Sequence, residues 1–69
     1  MHKTTYKIIK RSTYSIDILS ALQSVELEIQ DHIENGWGLY KSLLVESLPN
    51  NEIIIAQQMV KYEMIDNEN

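Results

Sequence analysis

The cations of this chain are the residues best placed to do chemistry. Lys3, Lys7, Lys10 and Arg11 hold four of its six positive charges, with Tyr6 and Tyr14 beside them and Tyr40 further on. Ammonium and guanidinium groups interleaved with phenol rings suit an anion, above all a phosphate or nucleotide that can be both paired and stacked. In a strand, alternate residues face opposite ways, so Lys7 and Arg11 would share a face while Lys10 points away. Lys7, Arg11 and Tyr40 are therefore the candidate ligand-binding residues, in a site assembled where subunits meet. The competing account is structural: lysines on an edge strand guard it against pairing with another chain.

Other constellations carry less. Glu28 and His32 are four residues apart and would share one side of a helix, yet two ligands do not make a metal site. A histidine near a helix end interacts favourably with the dipole when charged, which is the ordinary account of His32. Gly36-Trp37-Gly38 supplies two glycines, but a phosphate cradle leads into a helix N-terminus and these leave a C-terminus. Ser12, Ser15, Ser20 and Ser24 have no histidine placed to activate them, and Glu26 and Glu28 fall on a solvated helix face. Trp37, the single tryptophan, reads as a lid over the end of the helix rather than a ligand-stacking platform. The chain is expected to be non-enzymatic, with no catalytic residue, metal or cofactor.

Composition narrows the class further. The 69 residues make one domain, and a chain this short buries only ~60% of the surface its unfolded form exposes. Disulfides, a structural metal or oligomerisation usually make up the deficit, and with no cysteine the first is excluded and an ordinary zinc site is disfavoured. At 43% hydrophobic with two glycines and one proline, the chain is too apolar and too little broken to be disordered. No apolar run approaches the ~20 residues of a membrane helix. The N-terminal residues enter a strand pattern without a signal-peptide core, so a cytoplasmic protein away from membranes is expected. The net charge of -4 argues against general nucleic-acid binding, which needs a basic footprint.

The elements that must position these groups follow from periodicity. Thr5 to Arg11 is rich in β-formers and reads as a first strand, closed by the polar pair Ser12-Thr13. Ser15 stands where an N-cap would, with Asp17 in the first helical turn. Ile18, Leu22, Val25, Ile29 and Ile33 recur at helical spacing, Leu19 and Ala21 widen the stripe, and Leu27 lies opposite it. Gly36 is the stop. Trp37 to Leu48 is a second strand with an irregularity expected at Gly38, Pro49-Asn50-Asn51 a turn, and Glu52 to Ile65 a third strand. Asp66 to Asn69 reads as a disordered tail. A helical crossover favours parallel first and second strands, and the turn makes the second and third a hairpin. The predicted fold is α+β: a three-stranded sheet of order 1-3-2 with one helix on one face. The third strand is apolar at both parities, Ile54 and Ala56 against Ile53 and Ile55, and Leu43-Leu44-Val45 repeats this. One helix covers one face, so a second subunit is expected on the other.

Tyr6-Lys7-Ile8-Ile9, an amphipathic helix ending in Gly36-Trp37, and Ala56-Gln57-Gln58-Met59-Val60-Lys61 together resemble a family of small bacterial and phage proteins. It is catalogued as domain of unknown function seventeen thirty-seven, and a related group shares the helix-Gly-Trp-strand junction. The likeness runs from about Tyr6 to Tyr62. Gly38-Leu39-Tyr40 stands here in place of that family's Pro-Leu-Gly-Gly run. The resemblance implies a β-α-β-β unit, often self-associating, and carries over no catalytic residue.

The expected function is that of a small protein-interaction module acting as a homo-oligomer, a dimer or larger. The alternative is an oligomeric binder that sequesters a small anionic ligand such as a nucleotide. A phage origin would direct such a binder at host defence.

Overall fold

A computed structural model describes residues 1–65, so the tail expected at 66–69 lies outside the described residues. The run Ile53-Ile54-Ile55-Ala56 has apolar side chains at both parities, which suits a strand hydrogen-bonded on both edges. That is where it sits. β1 (His2–Tyr14), α1 (Ile18–Glu34), β2 (Gly38–Leu48) and β3 (Glu52–Met64) follow in chain order, and the sheet runs β1-β3-β2. Both edge strands are antiparallel to β3, so β1 and β2 run parallel with α1 as their crossover. The fold is α+β, with the expected strand order.

β1 is longer at both ends than its β-former content predicts. Its pairing with β3 is unbroken from His2↔Met64 to Tyr14↔Glu52, because an edge strand needs only one partner edge and tolerates Ser12, which faces water, and the half-buried Thr13. Ser15 is not the helix N-cap. It opens a 3-10 turn, Ser15–Asp17, and Asp17 takes the N-cap position of α1 without a side-chain bond to the backbone. The turn lets the chain reverse over β1 before the helix begins.

The core lies between α1 and one face of the sheet. Ile9, Ala21, Val25, Ile53, Ile55 and Met59 are buried together, with Ile18, Leu22, Ile29 and Trp37 packed against them. Ala21 is therefore central, and its small side chain lets the helix approach the sheet closely. Ile33, the last residue of the apolar stripe, is half exposed, as are Leu39 and Val45 on the same side of β2. The helix lies over the β1–β3 seam and leaves β2 bare.

The irregularity of β2 is not at Gly38, which pairs regularly with Val60. It falls between Tyr40↔Gln58 and Leu44↔Ala56. Lys41, Ser42 and Leu43 bulge out opposite the single residue Gln57, and Lys41 turns left-handed at φ 66°. Gln57 is buried, at 4% exposure, and its amide fills the gap. Nε2 donates to the carbonyls of Lys41 at 3.1 Å and Gln58 at 2.9 Å, satisfying backbone oxygens that the bulge removes from the ladder. The β2–β3 turn uses Asn50 and Asn51, both at positive φ, the residue type that best tolerates it after glycine.

A 17-residue helix is ~25 Å long, whereas the 13 residues of β3 extend ~43 Å. The sheet therefore overhangs the helix. β2 starts at the level of Val60, so His2 to Thr5 paired with Lys61 to Met64 forms a two-stranded arm, closed by Ile65 N–H donating to the Met1 carbonyl at 2.8 Å. The molecule measures 56 × 20 × 16 Å, with a radius of gyration of 15.3 Å against ~11 Å for a compact domain of this length.

The bulge yields a stability prediction. A left-handed conformation costs an L-residue roughly 1–2 kcal/mol. Lys41→Gly should match or exceed the wild-type unfolding free energy by up to ~1 kcal/mol, while Lys41→Val should lose ~1–2 kcal/mol. Urea denaturation followed by circular dichroism measures both, and equal losses in the two variants would contradict the assigned backbone.

Candidate functional site

The helix–strand junction is built by the backbone first. Gly36, at φ +94°, donates its N–H to the Ile33 carbonyl at 3.1 Å, and Trp37 donates to the His32 carbonyl at 3.0 Å. This is a Schellman stop, with glycine in the left-handed position and an apolar residue next. Asn35 adds a side-chain bond from Nδ2 to the Asp31 carbonyl at 2.8 Å. His32 Nδ1 lies 2.7 Å from the Glu28 carbonyl oxygen, which can only accept, so Nδ1 carries the proton. The spacing of Glu28 and His32 thus serves a backbone bond, not paired side chains.

Trp37 folds back over this last turn and against the core, the lid its position predicts. The His32 ring meets it edge-on with centroids 5.9 Å apart. Two ammonium groups also attend it: Lys7 Nζ is 5.8 Å and Lys61 Nζ 5.7 Å from the ring centroid. Lys61 pairs with Thr5 and Lys7 with Met59, so the two lysines are diagonal neighbours on the helix side of the sheet. Both contribute cation–π attraction and face the negative end of the helix dipole. Sequence reasoning missed Lys61, because only the β1–β3 register brings it beside Lys7.

The three candidate ligand residues do not converge. Lys7 and Arg11 share the helix side, as strand alternation requires. Arg11 is already engaged by the helix: its Nη2 donates to Ser24 Oγ at 3.0 Å and to Glu28 Oε1 at 2.7 Å. That ion pair is more than a third exposed on both sides, so it locates α1 over β1 more than it stabilises the fold. Tyr40 lies on the opposite face, where its ring meets Tyr6 at 5.2 Å between centroids.

That opposite face has no helix. Residues paired across the sheet share a side, so β1 contributes Tyr6, Ile8 and Lys10 to it, β3 contributes Ile54, Ala56, Gln58, Val60 and Tyr62, and β2 contributes Tyr40, Leu44 and Glu46. Val60 alone of these is buried, at 5% exposure. Its neighbour Gly38 has no side chain, which leaves room for the Tyr6–Tyr40 ring pair to close over β3. Tyr6, Ile8, Leu44 and Tyr62 are open to solvent.

Among the described residues, no three acidic or histidine side chains could hold a metal ion, and no helix is long and apolar enough to cross a membrane.

If Trp37 closes the core as described, Trp37→Ala should cost about 3 kcal/mol, the low end for a large aromatic because the ring is part exposed. Gly36→Ala should cost ~1–2 kcal/mol, from backbone strain rather than crowding, since an added Cβ would meet only the flexible Lys61 side chain, with Cε at 3.4 Å. Chemical denaturation of both variants checks this, and a Trp37→Ala protein with the wild-type midpoint would remove the ring from the core.

No family model matches the chain, and neither does a curated protein or a solved structure.

Proposed function

We propose that this protein is a small non-enzymatic interaction module that works as a homo-oligomer. The observation that carries this reading is the uncovered apolar face of the sheet. On that face Tyr6, Ile8, Leu44 and Tyr62 stand open to solvent at 60%, 59%, 51% and 69% exposure. Contiguous apolar surface of that kind marks an association site. A cytoplasmic setting belongs to this reading, since a chain without cysteine needs no oxidising compartment. Size exclusion with light scattering at micromolar concentration should report at least twice 8.1 kDa. A clean monomer would overturn the reading.

A second reading is the binding of a small anion such as a nucleotide, and the pair Lys7 and Lys61 favours it. Among the described residues the one ion pair is Arg11–Glu28, so both ammonium groups beside Trp37 have their charge uncompensated. On this reading nucleotides at millimolar concentration raise the melting temperature, salt shrinks the rise, and Lys7→Gln with Lys61→Gln abolishes it. No thermal shift across mono-, di- and cyclic dinucleotides would eliminate it.

A further inference from the structure

We propose that two copies pack with their open sheet faces together about a twofold axis parallel to β3, so that Lys10 of each copy meets Glu46 of the other. This rests on the reading that the chain self-associates and assigns the surface and the symmetry. The open face is apolar along its middle, with Lys10 on the β1 flank and Glu46 on the β2 flank, where the Lys41 ammonium also stands 5.4 Å from the Tyr40 ring centroid at the far side of the bulge. Lys10 stands on the β1 edge opposite Ala56, and Glu46 on the β2 edge opposite Ile54. The two are thus on opposite edges and one residue pair, ~7 Å, apart along the strands.

Symmetry decides what each charge meets. A twofold axis along the strands lays β3 over β3 and each β1 over the partner's β2. It brings Lys10 against Glu46 twice, and it is compatible with the ~30° angle between aligned, twisted sheets. An axis across the strands instead lays β1 over β1 and β2 over β2. Centred on the apolar patch near Ala56, it sets Lys10 against Lys10, while the two Glu46, one residue pair beyond that level, stand ~14 Å apart along the strands. Like charges facing each other in an interface repel and suppress that pairing, so the first arrangement is preferred. Size is adequate: two strands of ~43 Å and the ~30 Å over which β2 pairs with β3, at ~4.8 Å spacing, offer ~550 Å² per copy, or ~1,100 Å² in total, above the ~1,000 Å² of a specific interface. In the dimer Ile54, Ala56, Gln58, Val60 and Tyr62 lie along the axis over their own copies, and the Tyr6–Tyr40 pairs flank it.

Sedimentation equilibrium tests this with four proteins: wild type, Lys10→Glu, Glu46→Lys and Ser12→Lys, each checked for native circular dichroism. Each of the first two variants alone should weaken the dimer about tenfold or more, because every copy then faces its own charge. Mixed in equal amounts they should form a heterodimer within about threefold of wild-type affinity. In that mixed pair both contacts again join an ammonium to a carboxylate: the two substituted positions meet each other, and so do the two native ones. Ser12 is level with Glu46 across the sheet, so Ser12→Lys should tighten the dimer, a gain that misfolding cannot imitate. Weakening without rescue on mixing, or loosening by Ser12→Lys, would overturn the axis. A dimer indifferent to all three variants would overturn this surface while leaving self-association standing. A wild-type monomer would overturn both.

Discussion

The structure depends on the constraint that β3 must be hydrogen-bonded along both edges. Its residues place apolar groups on both sides of the sheet, so neither edge can be left to water without exposing a strand suited to aggregation. β1 and β2 supply the two edges, and the crossover between them must then be long enough to carry the chain past β3. α1 is that crossover. It can cover only one side, and it settles over the seam where Ile9 and Ile55 are fully enclosed. The opposite side stays open because, among the described residues, no second helix is left to lay on it.

The elements and their order were legible because each rests on local rules. Helical spacing from Ile18 to Ile29 and a glycine stop at Gly36 define the helix, and Pro49-Asn50-Asn51 defines the hairpin. Placement of β3 in the centre followed from its double parity. The extent of β1 was not legible, because Thr4, Ser12 and Thr13 join the ladder through their partner strand rather than their own pattern. The displaced cap at Ser15 has a similar cause: the 3-10 turn is imposed by where the helix must land, not by residues 15 to 17.

The candidate site was less legible, and for a tertiary reason. Alternation within one strand correctly put Lys7 and Arg11 on one side. It gives no information on the side taken by Tyr40, which depends on the register of β2 against β3. Nor does it show that Ser24 and Glu28 on the helix engage Arg11, or that Lys61 arrives beside Lys7 from a strand more than fifty residues later. Charge clustering in sequence drew attention to β1 but could not show which groups of other elements stand beside its cations.

The bulge in β2 has an evolutionary consequence. Between the levels of Gln58 and Ala56 the strand carries three residues against one, a surplus of two. Because side chains alternate with a period of two, a surplus of two leaves every later residue on the side it would have occupied in an unbroken ladder. A surplus of one would have turned Leu44, Val45 and Glu46 inside out. β2 therefore behaves like a message read in pairs. Its length is free to drift by two residues at Ser42-Leu43 under selection, while a single insertion or deletion there is a frameshift in side-chain space, purged wherever one side of the sheet must stay apolar.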